Sequence, residues 1–184
     1  MQVAVDARRT IAALLPRGGV GAEIGVFRGG FSRAIFAQAR PRRLYLVDPW
    51  QNSGQPQHGQ SLYAQGSAND MEEIHASILR TFSEPPFAGR VEVVRSASVP
   101  WLAGQPDGAM DFVYIDGDHN YEAVREDIVL STAKVRSGGV IGLDDYALGS
   151  WWGDGVVRAV HDALATLPLM LLFALDGQVA LRRL

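Results

Sequence analysis

Five strand-sized apolar runs, separated by helical stretches, constrain this chain more than any other feature. They are VGAEIGV (20–26), RLYLVD (43–48), RVEVV (90–94), MDFVYID (110–116) and VIGLDD (140–145). Runs this apolar, with little polar alternation, suit strands buried on both faces. Helical crossovers between successive strands make them parallel, with helices covering both sides of the sheet. Two further runs, 169–175 and 178–183, flank Asp176-Gly177, a dipeptide that favours a tight antiparallel hairpin. The expectation is an α/β fold of seven strands, mostly parallel, with helices on both faces and a C-terminal antiparallel hairpin. The 184 residues suit one domain over 1–184, and no internal repeat divides it.

Helical spacing marks 4–15 (Val5, Ile11, Leu14, Leu15), which stops at Pro16-Arg17-Gly18-Gly19. The spacing returns over 31–39, 67–82, 120–135 and 152–167, with a short stretch at 97–103. Ser67, Asn69 and Asp70 offer caps to the helix near them. Between 49 and 66 the pattern fails: PWQNSGQPQHGQSLYAQG has no period and is rich in Gln, Gly, Pro and Ser. Loops of that length in compact domains are commonly functional, and a substrate lid is the expectation.

Cysteine is absent, which removes disulfides, thiolate metal sites and Cys nucleophiles. The net charge of −3 leaves no basic footprint for nucleic acid. The arginine pairs Arg8-Arg9, Arg42-Arg43 and Arg182-Arg183 are far apart in sequence and read as solvated surface. The N-terminus lacks the order of a signal peptide, and no apolar run is long enough to span a bilayer. A cytoplasmic enzyme-like domain is the expectation.

The first strand leads into AEIGVFRGGFS (22–32), where Gly25, Gly29 and Gly30 permit a tight turn and close approach of a ligand. The spacing is neither a dinucleotide fingerprint nor a Walker loop. A plain strand–helix turn is the rival reading. Glu23 counts against it, because a carboxylate on a buried strand needs a partner. Asp48 ends the second strand, where nucleoside-binding α/β folds carry an acid for ribose hydroxyls. Before Pro49 it also reads as a turn residue. Trp50 either packs on the same ligand or anchors the long loop.

Asp116 ends the fourth strand, and Asp144 and Asp145 end the fifth. Adjacent strands lie about 4.8 Å apart, and parallel ones end on one edge, where open α/β sheets bind ligands. Carboxylates at such range raise one another's pKa unless a cation neutralises them. Oxygen donors without thiolates point to Mg²⁺, Mn²⁺ or Ca²⁺ rather than zinc. His119 is a candidate general base, its plainer role being an exposed helix start. Asp118 reads as a helix cap, and Asp116 is the expected inward acid because it directly continues the strand. His58, in the expected lid, either reaches a substrate or is an exposed loop residue; His75 and His161 carry no assigned chemistry, and Trp151 and Trp152 either wall a pocket or pack in the core.

The E-x-G-x-x-x-G turn (Glu23, Gly25, Gly29), Asp48, the element order and the closing hairpin resemble class I S-adenosylmethionine-dependent methyltransferases over nearly the whole chain. GVFRGGFS, IDGDHNYEAVREDI and GGVIGLDDY are most similar to small metal-dependent O-methyltransferases of the macrocin and sugar type, relatives of the catechol and caffeoyl-CoA enzymes. The resemblance implies a Rossmann-like fold, S-adenosylmethionine as cofactor, and Mg²⁺ or another hard divalent cation on Asp116, Asp144 and Asp145. The implied reaction is methyl transfer to a hydroxyl of a small polyhydroxylated metabolite. The implied cofactor site comprises Glu23, Gly25, Phe27, Gly29, Asp48 and Trp50, with Ser96, Ala97 and Ser98 of RSASVPWL cradling adenine. Catechol-type relatives place a Lys base three residues after the first metal acid, where this chain has His119. Small members of the fold commonly pair, so a homodimer is expected. Two readings stay open beside this one: a metal-dependent hydrolase, which leaves the glycine turn unexplained, and a non-catalytic cofactor-binding accessory protein.

Overall fold

The apolar runs form β1 (Val20–Ile24), β2 (Arg43–Asp48), β3 (Val91–Arg95), β4 (Met110–Ile115), β5 (Val135–Tyr146), β6 (Leu169–Leu175) and β7 (Gly177–Arg183). Around them lie α1 (Ala7–Leu14), α2 (Gly30–Ala39), α3 (Ala68–Ser83), α4 (Ser98–Ala103), α5 (Tyr121–Lys134) and α6 (Gly155–Thr166). The computed structural model describes residues 6–51, 68–149 and 153–184. The expectations for most of the 49–66 lid, His58, Trp151 and Trp152 lie outside the described residues.

One sheet holds all seven strands in the order β3-β2-β1-β4-β5-β7-β6. The first five are parallel, while β7 runs antiparallel to both β5 and β6. Strand order reverses at β1, which pairs with β2 on one side and β4 on the other. That reversal opens a crevice at the C-terminal strand ends.

Pleating explains why the runs are apolar throughout. Along β4, Phe112 and Tyr114 enter one core with residues such as Ile11, Ile35 and Ile78. Val113 and Ile115 enter the other with Leu102, Ile128 and Val160. Successive side chains face opposite ways, so a strand covered on both sides needs apolar residues at every position. The helices α1, α2 and α3 thus serve one core, and α4, α5 and α6 the other.

Several boundaries differ from the sequence expectation. Asn120, not Asp118, caps α5: its side chain accepts from the Ala123 amide at 3.0 Å. Asp118 instead accepts from the Asn120 amide at 3.0 Å, holding the capping residue in place. β5 begins at Val135 rather than Val140, and Gly138 carries it past Ser137 with a φ of +78°. Asp176 and Gly177 both take positive φ, at +45° and +77°, as the tightest hairpin turn requires. Among the described residues, no helix is long and apolar enough to cross a membrane.

Asp127 of α5 is 2% exposed. Burial pushes its carboxyl from the usual 3.8 up to about 6, against a hydrogen bond from Ser98 that favours the charged form. Folding therefore favours the neutral acid. The cost of keeping it charged is absent below its unfolded pKa and complete above about 6. Asp127→Asn should gain about 1–3 kcal/mol of unfolding free energy at pH 8, with the gain fading towards pH 4. Urea denaturation at the two pH values measures this; a gain that ignores pH would refute burial of the charge as its cause.

Candidate functional site

At the end of β1 the chain turns away through Gly25, whose φ is +82°. A Cβ there would sit 2.0 Å from the Asp116 carbonyl oxygen. Glycine is therefore required twice, by the left-handed backbone and by the contact. The Asp116 amide donates to the Ile24 carbonyl at 2.7 Å, and the Gly25 amide to the Val47 carbonyl at 2.9 Å. Backbone pairing thus carries the ladder one residue beyond the strands. Gly29, at φ +68°, leads into α2, and a Cβ on it would meet Ile78 and Phe82 at 2.9 Å. Helix packing, as well as the turn, demands that glycine.

Asp48 holds this turn from below and is fully buried. Its Oδ2 accepts from the Val26 amide at 2.8 Å and the Phe27 amide at 2.9 Å, and its Oδ1 from the Trp50 amide at 2.6 Å. A carboxylate offers about four lone-pair sites, so the amides take most of them. Trp50 is also fully buried. Its ring nitrogen donates to the Phe27 carbonyl at 2.9 Å, and its ring stacks on His75 at 4.7 Å. Trp50 thus packs inward, between the glycine turn and α3.

Ser96 is tied to the same corner, its amide donating to the Asp48 carbonyl at 3.1 Å. Ala97 precedes α4, and Ser98 opens the helix. Glu23 sits beneath the turn, 1% exposed, with its Oε2 unpartnered and the Ser32 hydroxyl beside it. Burial raises its carboxyl well above the usual range; Ser32 opposes that rise, and the Asp116 and Asp48 charges add to it.

The expected trio of carboxylates does not gather at one point. Ile115 pairs with Leu143, so Asp116 and Asp144 follow neighbouring residues on adjacent strands. Asp144 turns to the α1 side, where it takes the side-chain amide of Gln178 and an ion pair from Arg8. Asp145 has a φ of +57° and lies where the β5–β7 register shifts. Its Oδ2 is 2.5 Å from His119 Nε2. Neighbours along a strand point to opposite faces, which separates the two aspartates. The donor atoms that do converge, all within 4.8 Å of one another, belong to Asp116, His119 and Asp145. His119 thus stands in the place expected for Asp144.

Burial pushes Asp116 up to about 7, with Asp145 adding to the rise and the charges of Arg8 and His119 opposing it. Its side chain keeps 22% exposure, so solvent still reaches it. Arg8 lies 3.3 Å from Asp116 Oδ2. It is a site residue that reading the arginine pairs as solvated surface passes over. The one sequence signal for it is a surplus of inward acids without a cation. Gln178 also escapes the sequence reading, although a Gln inside the apolar run of β7 marks a buried polar group. It accepts from the Tyr114 hydroxyl at 2.7 Å, and its side-chain amide serves Asp144.

Residues 22–146 match the family model of a methyltransferase domain. The chain belongs to that family. The matched span of this methyltransferase domain runs from β1 to the end of β5 and includes every strand end described above. An uncharacterized protein of Acanthamoeba polyphaga mimivirus is 29% identical over 146 residues, which are 79% of this chain and 59% of that protein. The chain thus spans about three fifths of that relative. Among solved structures, a protein named as an rRNA-methylase from Clostridium thermocellum superposes with a TM-score of 0.68 at 10% identity, covering 100% of this chain and 98% of the other. A geranyl diphosphate methyltransferase in complex with S-adenosylmethionine gives a TM-score of 0.67 at 11% identity, covering 97% and 85%. Names that differ this much on one fold leave the acceptor to the site itself.

The Gly25 contact makes a direct prediction for the methyltransferase domain. Gly25→Ala should cost at least about 2 kcal/mol of stability, from left-handed strain and backbone overlap. Gly30→Ala, where a Cβ meets nothing within 4 Å, should cost far less. Equal unfolding midpoints for the two variants would contradict the contact.

Proposed function

We propose that this methyltransferase domain uses S-adenosylmethionine to methylate a hydroxyl of a small polyhydroxylated metabolite, with help from a divalent cation. The observation that carries the reading is the backbone contact between Gly25 and Asp116, which puts a Cβ-free turn beside the acid at the strand ends. The solved geranyl diphosphate relative, in its complex with S-adenosylmethionine, supports the cofactor. The net charge of −3 favours a small acceptor over a polyanionic one such as RNA.

The cofactor residues proposed are Glu23, Gly25, Phe27, Gly29, Asp48, Ser96, Ala97 and Ser98. The turn at Gly25 and Gly29 receives the methionine end, and Ser96–Ser98 the adenine. Asp48 serves the ribose end, chiefly by holding the Val26 and Phe27 amides in place. Asp116, His119 and Asp145 are chemically suited to a divalent cation, since one nitrogen and two oxygen donors converge there. When bound, S-adenosylmethionine supplies a methyl group activated on sulfonium, and a divalent cation lowers the pKa of a hydroxyl it touches. The protein's part is to orient the acceptor and remove its proton. His119, whose Nε2 lies 2.5 Å from Asp145 Oδ2, is the proposed base. The convergence of donor atoms favours a second role for His119, as a cation ligand.

Calorimetry with S-adenosylmethionine should show binding; its absence would remove this reading and leave the hydrolase. His119→Ala should lower kcat by about 10²–10⁴-fold. As a base, His119 can be lost without changing Mn²⁺ affinity; as a ligand, its loss weakens that affinity. Cofactor binding with no transfer to any polyhydroxylated acceptor would favour the accessory role. Because the donor set includes nitrogen, Mn²⁺ should bind more tightly than Mg²⁺, and a reversed order in competition titrations would argue for an all-oxygen site.

A further inference from the structure

Arg8 gives the strand-end acids a counter-ion of the protein's own. Its Nη2 serves both Asp116, at 3.3 Å, and Asp144. Its guanidinium carbon lies 5.6 Å from the centre of the Phe31 ring, and half of the side chain is exposed. The residue sits in the first turn of α1, two positions after the capping Asp6. A cation there runs against the helix dipole, so the placement answers the carboxylates and not the helix. Asp116 also belongs to the convergent trio with His119 and Asp145. One carboxylate is therefore claimed by two cationic positions.

We propose that Arg8 and a divalent cation are alternative counter-ions for these acids, so that cation binding frees Arg8 and loosens the first turn of α1. The inference rests on the cation reading above. Two cations on one carboxylate repel each other. The guanidinium is the one that yields: it carries a single charge, and its exposed half lets water solvate it as it leaves. The divalent ion keeps His119 and Asp145 as partners that Arg8 does not share. α1 thereby reports the state of the site, because Arg8 bridges from its first turn to the ends of both β4 and β5.

The test follows Mn²⁺ binding by electron paramagnetic resonance in the wild-type protein, Arg8→Met, which keeps the stem's packing, and Arg8→Lys, which keeps the charge. Arg8→Met should bind Mn²⁺ about tenfold more tightly or better, with Arg8→Lys close to wild type. In the wild-type protein, saturating Mn²⁺ should also speed amide hydrogen exchange in residues 7–14, an arm that decides even if Arg8→Met does not fold. Unchanged or weaker Mn²⁺ binding in Arg8→Met overturns the proposal, as do slower exchange in α1 and a failure of every form to bind Mn²⁺. S-adenosylmethionine calorimetry on the same samples separates the two readings. Cofactor binding without an Arg8 effect overturns this inference alone. A missing cofactor affinity overturns the methyltransferase reading and leaves the Mn²⁺ comparison valid.

Discussion

The backbone of Gly25 lies against the backbone of Asp116 with no space for a side chain, and the site depends on that contact. It joins the first strand end to the fourth at the place where strand order reverses. Any bulk at Gly25 would push the turn off Asp116 and separate the proposed cofactor residues from the proposed catalytic ones. The contact is made of backbone, so side-chain rearrangement offers no way around it. Asp48 then fixes the outgoing chain through three amides, and Phe27 and Trp50 accept left-handed backbone at φ +49° and +42° to let it do so. Strain in non-glycine residues of this kind is held only where surrounding bonds over-determine it.

Acids buried in this fold survive by different means. Asp48 stays inside because amides donate to both of its oxygens, a favourable arrangement for a charge. Asp144 has Gln178 and Arg8. For Glu23 and Asp127 burial outweighs every opposing interaction and moves both towards the neutral acid. Asp116 falls between these cases, part buried and part paired. The acids of this fold thus differ in character: donors hold some in the charged form, while burial drives others towards the neutral acid.

Much of this is legible in the chain itself. The apolar runs, the breaker residues and the Asp176-Gly177 hairpin each have a local physical cause, and the strands and their order of appearance follow from them. Gly25, Gly29, Asp48 and Asp116 stand out as strand-end residues because glycine and acids are unusual beside buried strands. Arg8 does not stand out. Its helix is amphipathic, and an arginine in such a helix reads as solvated until the acids it faces are placed in space. Trp50 is ambiguous for the same reason, since an aromatic residue after a strand packs inward or outward according to what lies above it. The pairing of Asp144 with Asp145 misleads in another way: adjacency in sequence implies adjacency in the site, and pleating undoes it.

The sequence by itself determined the kind of fold, the edge where chemistry gathers and the glycine that this edge needs, because periodicity, turn chemistry and φ preferences act within a few residues. Only the tertiary structure decided which acids meet which cations. That choice depends on register between β4 and β5, on the local twist at Asp145 and on where α1 settles. These are long-range quantities. A shift of one residue in any of them would reverse the direction of a carboxylate without changing a letter of the chain.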